Sequence, residues 1–97
     1  IITTDLDGYI LSWNLGSKVI FGYSQDEVIG KHISIIYLNG NQSIISKSIN
    51  FIKKQDRFDS KINLINKDHD ILQIEQTLSI FKDKDHKPRR VIFYFKD

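Results

Sequence analysis

Polar and apolar positions alternate with a period of two over the second half of the chain, whereas the first half changes period every few residues. Phe58, Ser60, Ile62 and Leu64 fall on one side of a run whose other side holds Asp59, Lys61, Asn63 and Ile65, the pattern of a half-buried strand. A second run puts Leu72, Ile74, Gln76, Leu78 and Ile80 on one face. A third, Arg89–Lys96, turns Val91, Phe93 and Phe95 inward and Ile92 and Tyr94 outward. The turn-forming stretch Asn66–His69 and the charged loop Lys82–Pro88 separate the three. Between Ser43 and Lys54 the period lengthens. Ile44, Ile45, Ile49 and Ile52 share one helical face, and Lys53 and Lys54 complement the helix dipole in its last turn.

Nearer the N-terminus, Ile1–Thr4 and Tyr9–Trp13 flank Asp5-Leu6-Asp7-Gly8 and predict a hairpin with Gly8 at positive φ. With Ile10 and Ser12 inward, Tyr9, Leu11 and Trp13 point outward. Asn14 is placed to cap a short helix with a stripe of Leu15, Val19 and Ile20, closed by Gly22. Ser24-Gln25-Asp26-Glu27 forms a capping box opening a helix of barely one turn before Gly30, and Asn39-Gly40 marks a further turn. The order β-β-α-α-α-β-β-β predicts an α+β fold: a five-stranded antiparallel sheet with helices inserted between strands two and three.

Composition narrows the function. Eighteen of the 97 residues are Ile and none is Ala, which favours sheet over helix. The length fits one domain spanning residues 1–97, and the start at Ile1-Ile2-Thr3-Thr4 without Met reads as a piece of a larger protein. A net charge of +2, with Lys53, Lys54, Arg57, Arg89 and Arg90 scattered, gives no basis for nucleic-acid binding. With no Cys there is no disulfide, thiolate metal site or cysteine nucleophile, a usage compatible with the cytoplasm. No apolar run is long enough for a membrane span, so this segment is not expected to insert in a membrane, although a longer protein containing it could be anchored. Glu27 and Glu75 are the only glutamates, Glu27 is used in capping, and no nucleophile–base pair or glycine-rich phosphate loop is present. Catalysis by this segment is not expected.

Several short stretches together resemble the PAS domain family over essentially the whole chain. They are Thr4-Asp5-Leu6-Asp7-Gly8-Tyr9-Ile10, Trp13-Asn14, Phe21-Gly22-Tyr23-Ser24, Glu27-Val28-Ile29-Gly30-Lys31, Asn66-Lys67-Asp68, Ile80-Phe81-Lys82-Asp83 and Phe95-Lys96-Asp97. The resemblance implies strand order B-A-I-H-G, helices on one sheet face and a small pocket between them. It also implies a sensory or dimerising role beside a histidine kinase, cyclic-dinucleotide enzyme, chemoreceptor or transcription regulator in the same chain. Asp97 matches the family's Asp after the last strand, where the chain leaves toward its effector. His69 and His86 stand where the family commonly has Gly, and His tolerates positive φ moderately well.

Gln76 interrupts an apolar face, and a buried amide without partners costs about 1–3 kcal/mol. It is expected either to contact a ligand or to bond a backbone group or buried water. Ser60 on the neighbouring strand is a second polar candidate. The predicted pocket is lined by Ile45, Ile49, Ile52, Ser60, Ile62, Ile74, Gln76, Leu78 and Phe93. His32, His69 and His86 all lie outside Ser43–Lys54, the helix that carries the axial His in haem-binding relatives, so that haem mode is not expected. Cysteinyl flavin is excluded by the lack of Cys, while a non-covalent flavin or small metabolite stays open. The acidic turns around His69 and His86 are expected to be solvated, with no metal bound. Tyr9, Leu11, Trp13, Ile92 and Tyr94 form the expected homodimer interface on the helix-free sheet face. A ligand-free interaction module with a filled core is the alternative, and a small-molecule enzyme comes third.

Overall fold

The computed structural model describes residues 1–96; the reading of Asp97 as an exit residue lies outside the described residues. Five antiparallel strands, β1 (Ile2–Thr4), β2 (Ile10–Trp13), β3 (Arg57–Ile65), β4 (Ile71–Lys82) and β5 (Pro88–Lys96), form one sheet in the order β2-β1-β5-β4-β3. Helices α1 (Leu15–Phe21), α2 (Gln25–Val28) and α3 (Gln42–Gln55) lie between β2 and β3 in the chain, as the periodicity predicts. Two 3-10 turns, Ile33–Ile36 and Leu38–Gly40, were not foreseen. Their apolar side chains are too few to show a period.

The long strands hold the predicted phase. β3 and β4 pair without interruption from Arg57 opposite Ser79 to Ile65 opposite Ile71. Leu64, Ile74, Gln76, Leu78, Val91 and Phe93 are all buried on the inner face. Each large apolar side chain so buried contributes about 1.5–3 kcal/mol. His69 and His86 take φ of 67° and 61°, so both hairpin tips adopt the left-handed conformation that the histidines were expected to tolerate.

Helix α3 buries Ile45, Ser48, Ile49 and Ile52, an i, i+3, i+4, i+7 stripe. Ile44, expected on that face, is instead 42% exposed, because the stripe turns toward Ser48. Asn41 caps this helix by accepting the Ile44 N–H, and Asp56 ends it at φ 68°.

Two N-terminal expectations are corrected. In α1 the buried positions are Ser17 and Phe21, while Leu15 and Val19 are 74% and 77% exposed. The ring of Phe21, packed 5.1 Å from Phe95 and 5.8 Å from Trp13, sets which side faces the sheet. Seven residues are too few for spacing alone to choose that side. In β2, Trp13 is buried at 4% exposure and does not point outward. Ile2 pairs with Trp13 and Thr3 with Ser12, but Thr4 pairs with Ile10. Leu11 is therefore the extra residue of a β-bulge. Beyond it the phase reverses, so Ser12 joins Thr3 on the outer face, their hydroxyls 2.5 Å apart, and Trp13 turns into the core.

Candidate functional site

The inner sheet face and α3 meet over a polar cluster in an otherwise apolar core. Gln76 is 2% exposed on β4, so the strand phase places it inside as expected. Its Oε1 accepts a hydrogen bond from the Tyr37 hydroxyl at 3.1 Å, and its Nε2 donates to Ser60 Oγ at 3.4 Å across the β3–β4 ladder. Register brings the second pair within reach, since Ser60 and Gln76 are directly opposed. Burial pushes the Tyr37 phenol up to about 12, with the Gln76 bond opposing weakly. Among the described residues, every buried side-chain nitrogen or oxygen has a partner.

Tyr37 was not singled out as a partner of Gln76. It stands 39 positions away, between the two 3-10 turns, and an isolated bridge to Leu64 ties its backbone to β3. No local pattern connects the two residues; only the tertiary fold does. Ile45, Ile49, Ile52, Ile74, Leu78 and Phe93 are all buried in the same core, with Ile62 packed against it. The apolar residues of the predicted pocket thus belong to one core. Tyr37 also lines a surface cleft of about 420 Å³ whose walls include Leu38, Ile65 and Ile71.

The segment bearing Tyr37 is tied to the first hairpin through His32. Its Nδ1 accepts from Ser34 N–H at 3.1 Å and its Nε2 contacts the Asp7 carbonyl at 2.9 Å. A Ser34 amide can only donate and a carbonyl can only accept, so these two contacts suit the tautomer in which Nε2–H donates to Asp7. Gly8 leaves room for it; a Cβ there would sit 2.7 Å from Nε2. On the other flank the β3–β4 turn docks onto α2. Lys67 meets Glu27 at 2.6 Å while the Ser24 N–H donates to Glu27 at 3.0 Å. These contacts hold the Glu27 carboxyl down at about 2, the Lys67 hydrogen bond being the largest cause.

On the helix-free face Tyr9, Leu11 and Tyr94 are 48%, 46% and 43% exposed, and Ile92 is partly exposed. Trp13 leaves this patch, because the bulge turns it inward and its Nε1 donates to the Tyr23 carbonyl at 2.9 Å. Tyr9 packs edge-on against His32 at 5.1 Å. The face is smaller and less aromatic than the alternation predicted.

An antiparallel sheet in the order β2-β1-β5-β4-β3 with helices inserted between β2 and β3 defines the class of fold. The family model for the PAS domain matches residues 1–97, and the chain belongs to that family. The crystal structure of a PAS domain from Colwellia psychrerythraea superposes with a TM-score of 0.91 at 26% identity, covering 99% of this chain and 82% of that one. Drosophila melanogaster Cycle PAS-B, solved with bound ethylene glycol, gives a TM-score of 0.82 at 13% identity over 98% of this chain and 95% of that one. Two-component system protein A of Emericella nidulans is 49% identical over 37 residues. That match covers 38% of this chain and 5% of the fungal protein. No helix among the described residues is long and apolar enough to cross a membrane.

Proposed function

We propose that this PAS domain is a cytoplasmic sensory and dimerisation module that regulates an effector in the same polypeptide, through a small polar ligand held between α3 and the sheet. The effector is a histidine kinase, cyclic-dinucleotide enzyme or transcription regulator, and the likeness to a two-component protein favours the first. The Tyr37–Gln76–Ser60 cluster carries the reading. A side-chain amide offers four hydrogen-bonding positions, and here Tyr37 and Ser60 use one each on oxygen and nitrogen. The Ser60 contact is long, so a ligand with an adjacent donor and acceptor could replace both partners without stranding the amide. Gln76 is opposite Phe95 near the end of β5, which gives a change at the amide a short path toward the chain beyond residue 96. Self-association would use the outer face around Leu11, Ile92 and Tyr94.

A second reading has its own support. The trio is already closed on itself and surrounded by Ile side chains, as expected of a filled core in a ligand-free interaction module. Native mass spectrometry of protein purified from its host separates the two by reporting bound mass and oligomeric state together. The sensory reading predicts a released small molecule whose retention is lost in Gln76→Leu, and a dimer weakened in Tyr94→Asp. An apo mass in every preparation favours the filled core, and a dimer insensitive to Tyr94→Asp removes the outer face from the proposal.

A further inference from the structure

The sheet has an edge that is open over most of its length. Among the described residues β4 is the one strand laddered to β3, and the other side of β3 is covered at one end by the isolated bridge from Tyr37 to Leu64. In an antiparallel ladder alternate residues turn their backbone groups toward the partner and away from it. The Asn66 N–H donates to the Asp70 carbonyl and the Ile80 N–H to the Asp56 carbonyl, so even-numbered residues face β4. Arg57, Asp59 and Lys61 then present their N–H and C=O groups to solvent. A long unpaired edge of this kind is a template for another strand.

We propose that this edge pairs with the same edge of a second copy, antiparallel and centred on Ser60. In that register Asp59 of each copy lies opposite Lys61 of the other, and Phe58 opposite Ile62. Other two-fold registers fail. Centring on Asp59 or on Lys61 sets like charges on the axis, centring on Phe58 runs off the start of the strand, and centring on Ile62 collides with the Tyr37–Leu64 bridge. Opposite charges facing each other across a pair stabilise it and like charges do the reverse. The Asp59 and Lys61 side chains are 61% and 86% exposed, and their present partners, Arg57 at 3.3 Å and Glu75 at 4.0 Å, form exposed ion pairs within the same molecule that a second copy would compete with. Beside the edge, Phe51 is 47% exposed with its ring 5.4 Å from that of Phe58, and the second copy's Ile62 would cover this pair. The result is one continuous sheet through two copies, a contact distinct from the outer-face patch.

Charge reversal tests both the edge and its register by sedimentation equilibrium. Asp59→Lys leaves two cations facing each other across each pair, and Lys61→Asp leaves two anions, so each variant alone should associate at least roughly tenfold more weakly than wild type. Mixed one to one, the two variants restore opposite charges at both positions and should form a heterodimer. The double variant D59K/K61D should recover self-association. Asp59 also accepts from Thr77, so circular dichroism confirms that each variant folds, and Lys61→Asp tests the register without disturbing that bond. A wild type that stays monomeric at high concentration overturns the proposal and leaves the edge to a strand of a different chain. Single variants that associate like wild type overturn it as well; if Tyr94→Asp then abolishes the dimer, the outer-face reading stands alone.

Discussion

The two sides of the sheet obey different rules. On one side β3, β4 and β5 are 9, 12 and 9 residues long, and their ladders run in steady alternation to a single irregularity at Phe81/Lys82. On the other, β1 and β2 have 3 and 4 residues and carry a bulge in their middle. A long strand with one buried face repeats its message often enough for period two to fix every side chain. A short strand with one extra residue reverses phase before any repetition can reveal it. The candidate ligand site lies on the long strands, while the outer-face patch depends partly on the short ones.

The sharpest way to break this comparison is to truncate Trp13. Trp13→Ala should lower stability by about 3–5 kcal/mol, as expected for a buried aromatic ring. Leu11→Ala, on the same strand but 46% exposed, should stay within about 0.5–1 kcal/mol. Urea denaturation of both variants is the measurement. Equal, small losses would return Trp13 to the outer face and remove the bulge from the account.

The same contrast explains what could be read without a structure. The long strands, the helix expected at Ser43–Lys54 and found at Gln42–Gln55, the capping by Asn14 and the inward Gln76 follow from local patterns, whereas the sheet order came from the family resemblance. The partners of Gln76 divide instructively. Gln76 was expected to bond a ligand, a backbone group or water and instead bonds two side chains. Ser60 could be named as a polar candidate on the neighbouring strand. Tyr37 could not, because it arrives from an irregular segment with neither period nor motif. Leu15 and Val19 mislead for a related reason: on a two-turn helix the contact made by Phe21 outweighs the apparent stripe.

A smaller effect probes the trio itself. Gln76→Leu strands the Tyr37 hydroxyl in the core and should cost about 1–3 kcal/mol, and adding Tyr37→Phe should recover part of it. The Tyr37 phenol also makes a prediction in alkali. Its folded value of about 12 lies above the ordinary 10, so the folded state favours the protonated form. The associated stability is complete below pH 10 and is lost as pH rises from 10 through 12. Ultraviolet titration should show one of the 4 tyrosines ionising late, and Tyr37→Phe should remove that late phase and blunt the alkaline loss. A wild type whose tyrosines all ionise together near pH 10 would place Tyr37 in solvent.

The central claim, that a small polar ligand acts at the Tyr37–Gln76–Ser60 cluster, is tested most directly by methyl and side-chain amide NMR. The 18 isoleucines supply probes throughout the core and on the surface. Protein stripped of small molecules is titrated with the low-molecular-weight fraction of host cytosol. The account predicts shifts at the methyls of Ile49, Ile52 and Ile74 and at the Gln76 side-chain amide, with Ile44 and Ile92 unmoved. Shifts confined to the surface isoleucines, or none at all, would contradict it.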